Sequence, residues 1–153
     1  MKKTIVTAIT AIVVTAAISI ACFAGCAKKS EPVRQFASAH LFQDDSVITT
    51  KVELTDGYSC DFATGAVYLD DKDGNSVAMG ITLEQEVFEE YEAEAQEASE
   101  RKDLNGGVMY KADNTMIYLI KVGEDGYFAI FADGANATQM EAIVARFEFT
   151  AGY

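Results

Sequence analysis

Hydrophobic and polar positions divide this chain into two unlike parts. No charged residue occurs from Thr4 to Ala27, whereas beyond Ser30 apolar residues recur with periods of two or of three to four. A period of two marks a strand with one buried face, and the longer period marks an amphipathic helix. Val33, Phe36, Ala37, His40 and Leu41 sit at helical spacing and predict a short helix over 32–42. Ile48, Thr50, Val52 and Leu54 alternate with Thr49, Lys51 and Glu53 as a strand does, and Asp56-Gly57 then reads as a two-residue hairpin turn. Ser59 to Asp70 reads as one further strand with Gly65 as a bulge or bend in its middle. Asp73-Gly74 turns the chain into Ser76–Ile81, where Val77, Met79 and Ile81 share a face.

Thr82 to Gln85 has the form of a capping box, so a helix is expected to start there and run to about Arg101. It would bury Leu83, Val87, Phe88, Tyr91 and Ala95 and expose Glu84, Glu86, Glu89, Glu90, Glu94, Glu97 and Glu100. Gly106–Ala112, Thr115–Val122 and Gly126–Ala132 read as three more strands. A last helix opens near Asn136 or Thr138, with Thr138 to Glu141 as a second capping box and Met140, Ile143, Val144 and Phe147 as its stripe. This order predicts an α+β fold, an antiparallel sheet of about six strands in βββα-βββα order with both helices on one face. Val67-Tyr68-Leu69 and Ile117-Tyr118-Leu119 hint at a duplicated βββα unit.

The uncharged stretch follows Met1-Lys2-Lys3, the layout of a secretory signal. It is also long enough to span a bilayer, for which roughly 20 apolar residues suffice. A single-pass protein with an uncleaved N-terminal helix is therefore the alternative. Lysines flank the stretch on both sides, Lys2 and Lys3 before it and Lys28 and Lys29 after it, and so set no orientation. The stretch runs into Phe23-Ala24-Gly25-Cys26. This motif resembles the lipobox of bacterial lipoprotein precursors, a resemblance confined to the first thirty or so residues, with Phe23 where the family usually has Leu. It implies cleavage between Gly25 and Cys26 and a diacylglyceryl group on the Cys26 thiol. Ser19-Ile20-Ala21-Cys22 is a poorer candidate, since cutting there would leave Phe23-Ala24-Gly25 at the head of the mature chain. The divisions expected are residues 1–25 as signal peptide, 26–31 as lipidated cysteine and tether, and 32–153 as one domain. Ala27 to Glu31 reaches less than about 20 Å, which would hold the domain close to the extracytoplasmic face of the cell membrane.

Charge narrows the partners. The chain has 12 basic against 24 acidic side chains, a formal net charge of −12, and losing residues 1–25 removes two lysines and no acid. Nucleic-acid binding is excluded, because it needs a basic face to displace counterions. With Cys22 discarded and Cys26 lipidated, Cys60 has no intramolecular partner, so stability must come from packing. Alternation turns Cys60 and Phe62 toward the core.

Candidate chemistry is sparse. His40 is the single imidazole, and Cys60 has no turn or helix N-terminus beside it to activate a thiolate. Leu69 to Asn75 looks like a calcium loop, but with Gly74 as its central glycine both end positions lack a carboxylate. No metal or cofactor is called for. The leading expectation is a non-enzymatic binding or accessory module of the cell envelope, taking an envelope protein or a small ligand on an exposed sheet face or the acidic helix. Tyr58, Tyr68, Tyr110, Tyr118 and Tyr127 are candidates for an aromatic patch. The alternative is a carboxylate-based envelope hydrolase or other enzyme using Asp61, Asp70 or Asp71.

Overall fold

A computed structural model describes residues 34–43 and 46–152. The apolar stretch, the lipobox and the tether lie outside the described residues. Among the described residues ten strands and two α-helices follow one another as β1 (Phe36–Gln43), β2 (Ser46–Glu53), β3 (Ser59–Ala63), β4 (Ala66–Asp70), β5 (Ser76–Thr82), α1 (Gln85–Glu97), β6 (Arg101–Leu104), β7 (Gly107–Ala112), β8 (Thr115–Val122), β9 (Gly126–Asp133), α2 (Ala137–Val144) and β10 (Phe147–Ala151). They form a three-stranded sheet in the order β1-β2-β10 and a seven-stranded sheet in the order β3-β4-β5-β9-β8-β7-β6. The expected α+β fold with one sheet of about six strands is therefore corrected to a mostly β architecture of two antiparallel sheets.

Several local readings change with it. Residues 36–43 are not helical: Ala37, Ala39 and Leu41 turn inward and Phe36, Ser38, His40 and Phe42 outward, a period of two fixed by pairing with β2. Asp56-Gly57 makes no hairpin, since β2 and β3 belong to different sheets; a short 3-10 turn, Thr55–Gly57, carries the chain between them. Arg146 secures that crossing. Its guanidinium donates to the carbonyls of Glu53 at 3.2 Å and Thr55 at 2.9 Å and lies 3.6 Å over the Tyr58 ring. The run 59–70 is two strands, because Thr64-Gly65 is a hairpin turn between Ala63 and its partner Ala66, with Gly65 at φ +70°.

Thr82 ends β5 and donates its hydroxyl to the Gly65 carbonyl at 3.1 Å, so it cannot cap α1, which starts beyond an uncapped Glu84. The helix stops at Glu97, leaving Arg101–Leu104 to form β6. The second capping box is Asn136 with Gln139, not Thr138 with Glu141, each side chain accepting from the other's backbone N–H. Phe147 begins β10 instead of closing the helix stripe.

The two helices lie on opposite faces of the large sheet. On one face Val67, Tyr118, Phe128 and Ile130 pack with Leu41, Ile48 and Val52 of the small sheet and with Met140 and Val144 of α2. The fit is tight: a Cβ on Gly80 would lie 2.6 Å from the Phe128 ring. On the other face Phe88 and Ala95 of α1 cover Tyr110, Ile117, Leu119, Tyr127 and Ala129. This arrangement also removes the suggested duplication. A two-fold relating β3-β4-β5 to β7-β8-β9 across the antiparallel β5–β9 pair would run perpendicular to the sheet and keep both helices on the same side.

Candidate functional site

Cross-strand register builds one continuous row on the α1 side of the large sheet: Asp61, Tyr68, Met79, Phe131, Ile117 and Tyr110, each opposite the next. Below it run Ala63, Ala66, Ile81 and Ala129. Directly opposed side chains on one face are in contact range, so each row is a single surface. Helix α1 packs on β7, β8 and β9 and buries the Ile117–Tyr110 end. Its flank reaches as far as Phe131, whose ring meets Tyr91 edge-on with centroids 5.7 Å apart. Beyond that flank, over β3, β4 and β5, the sheet has no helical cover among the described residues. Tyr68 is 41% exposed there, and Met79 and Ile81 are half-buried. The product is an open apolar half-face between a helix wall and a sheet edge.

The rim of that half-face is acidic. Asp61 and Asp70 border it on β3 and β4, and neither forms an ion pair among the described residues. All the expected outward glutamates of α1 are exposed, whereas of the expected buried set only Phe88 and Ala95 are fully covered. Glu94 accepts from the Tyr110 hydroxyl at 3.3 Å, and burial together with that carboxylate raises the phenol strongly.

The other candidates are dispersed. Tyr110, Tyr118 and Tyr127 are core residues and Tyr58 is stacked under Arg146, so of the five tyrosines Tyr68 alone is on the open face. Burial pushes the Tyr118 phenol up to about 12. Asp71 points into its own turn, accepting from the Asn75 backbone N–H at 2.9 Å, the Asn75 side-chain amide at 3.2 Å and the Asp73 backbone N–H at 2.9 Å, and these bonds hold its carboxyl below the usual range. The Leu69–Asn75 segment is thus closed by Asn75, and no group of three or more His, Cys, Asp and Glu among the described residues could hold a metal ion.

His40 lies on the outer face of the small sheet. Thr49 spends its hydroxyl proton on the Gly152 carbonyl, so it accepts from His40 Nδ1 at 2.9 Å. Cys60 is on β3 of the other sheet, half-buried beside Phe62 and facing the small-sheet side as alternation expects. Burial, then the carboxylates of Asp61 and Asp70, push its thiol up to about 11. Gly25 and Cys26 lie outside the described residues.

Sequence reasoning put Val77, Met79 and Ile81 on one face, but the bulge at Leu69/Asp70 leaves Val77 packed with the sealed-side core, and it missed that Met79 and Ile81 join Phe131 in one surface. That surface depends on the β5–β9 pairing, which joins segments about 50 residues apart. No protein-family model matches the chain, and no curated protein and no solved structure matches it.

Proposed function

We propose that this chain is a lipid-anchored extracytoplasmic lipoprotein of the bacterial cell envelope whose domain is a binding or accessory module without catalysis of its own. The open half of the α1-side face would be its docking surface. The observation that carries the docking reading is the asymmetry of cover. One face of the large sheet is sealed by a second sheet and a helix, while the other leaves Tyr68, Met79 and Ile81 incompletely buried within one connected patch. Connected exposed apolar surface with a polar rim marks interaction sites, and the rim here favours a cationic partner. Anchoring rests on Phe23-Ala24-Gly25-Cys26, and acylation with two or three chains gives a stable attachment.

The experiment places a photo-crosslinking amino acid at position 68 or 79 of the full chain in its native cells, with position 124, in the exposed β8–β9 turn, as control. The expected result is one discrete adduct shared by 68 and 79 and missing at 124. The same adducts at all three positions, or none at 68 and 79, would overturn the docking surface. Cys26→Ser should remain uncut and take up no labelled palmitate; a processed variant that partitions like the parent would overturn the anchor.

A further inference from the structure

The strand that borders the open half-face is also an end of the sheet. Among the described residues β3 has β4 on one side and no strand on the other. Its closing pair, Ala63 with Ala66, spans a two-residue turn and is the hydrogen-bonded kind. Hydrogen-bonded and non-bonded pairs alternate in an antiparallel ladder, so Ser59, Asp61 and Ala63 spend their backbone groups on β4. The N–H and C=O of Cys60 and Phe62 then project outward, two donors and two acceptors along the free edge.

The opposite end of the sheet is defended and this one is not. β6 has the sequence RKDL, with charges of both signs that discourage a further strand. β3 carries one charge, Asp61, at its centre. A second copy pairing antiparallel through the middle of β3 would set Asp61 against Asp61, a repulsive cross-strand pair. A foreign strand with a cation at that position would instead neutralise a carboxylate that has no ion pair among the described residues. On the other side of the strand Cys60 and Phe62 are only half-buried, so apolar side chains of the newcomer would finish covering them.

We infer that the partner is a protein segment in extended conformation that adds antiparallel to the edge of β3, with Lys or Arg opposite Asp61 and apolar residues opposite Cys60 and Phe62. This inference rests on the docking reading above and specifies its chemistry. The required pattern is apolar, basic, apolar, with the apolar residues making the backbone hydrogen bonds and the basic one in the closer, non-bonded pair.

The test uses the full chain in mild detergent and a fluorescein-labelled peptide of alternating valine and lysine, read by anisotropy. Saturable binding is expected, weakened about tenfold or more by Asp61→Asn, since truncating one partner of a desolvated charge pair has at least that effect. Replacing lysine by glutamate in the peptide should abolish it. N-methylation of the valines, which blocks the bonding edge in this register, should also abolish it, while N-methylation of the lysines should be tolerated. Binding that ignores valine methylation yet is lost in Tyr68→Lys would overturn strand addition and leave the docking surface standing. Binding indifferent to every change on β3 and at Tyr68 would overturn both. Absence of binding at millimolar peptide, or a dimer in sedimentation that Asp61→Asn strengthens, would overturn the partner assigned here.

Discussion

The two faces of the seven-stranded sheet come from the same strands by the same alternation, yet they end in different states. On the small-sheet side nearly every inward residue from β4 to β8 has a partner across the layer, and Phe128 meets Phe149 with ring centroids 4.9 Å apart. On the α1 side cover stops at β9, because a single helix of 13 residues is too narrow for seven strands. The sealed face supplies stability and the open one is left for recognition. Burial thus separates two roles that an alternating sequence cannot distinguish.

The largest expected effect tests that division. Phe128→Ala removes a fully buried ring from the sealed face and should cost about 3–5 kcal/mol in urea unfolding. Tyr68→Ala, on the open face, should stay within about 0.5 kcal/mol of the parent. Equal losses would mean that both faces are core. Arg146→Ala comes next, with a loss of about 2 kcal/mol, because it frees two carbonyls at the crossing that lets the small sheet fold over the large one. Arg146→Lys should recover only part, since an ammonium cannot fork between two carbonyls and stack on Tyr58 together.

Thr50 offers a smaller change of opposite sign. Its hydroxyl is buried in the sealed layer with no hydrogen-bond partner among the described residues. Thr50→Val keeps the shape and removes the unsatisfied group, so it should stabilise by about 1 kcal/mol; destabilisation would show that the hydroxyl is bonded in solution. Cys60 gives the smallest effect. Its raised pKa means the folded state favours the neutral thiol, a contribution present below the ordinary value of 9.0 and lost as pH rises toward about 11. The parent should therefore lose stability relative to Cys60→Ser across that window, and its thiol should be alkylated slowly in native buffer and quickly in denaturant. Equal alkylation rates would place Cys60 in solvent.

What was legible in the sequence follows from how local each signal is. Thr115–Val122 is an apolar run that marks a strand but no face, because both its faces are buried, while Met79 and Ile81 alternate with Ala78 and Gly80 and fix strand and face together, and Phe88 and Ala95 mark the buried stripe of α1. Phe36, Ala37, His40 and Leu41 fit a helical stripe while Ala37, Ala39 and Leu41 fit a strand period, and only hydrogen bonding to β2 decides between the two. Arg101–Leu104 has almost no apolar pattern and becomes a strand because the edge of β7 is there to pair with. Thr64-Gly65 was hidden because a bend within one strand and a turn between two look alike when the flanking residues alternate. The open half-face was out of reach for a related reason. Its members are named by the alternation of β4, β5 and β9, but their adjacency, and the point at which α1 stops covering them, are set by contacts distant in sequence.

Four methionines report on the two faces at once. Met109, Met116 and Met140 are buried on the sealed side, and Met79 lies half-exposed in the open row between Tyr68 and Phe131. Thioether oxidation follows solvent access. Dilute hydrogen peroxide acting on the native full chain, followed by peptide mass spectrometry, should oxidise Met79 first and the other three only as slowly as the domain opens. Met79 reacting as slowly as Met116 would mean that this half of the sheet is covered in solution and that the docking surface does not exist.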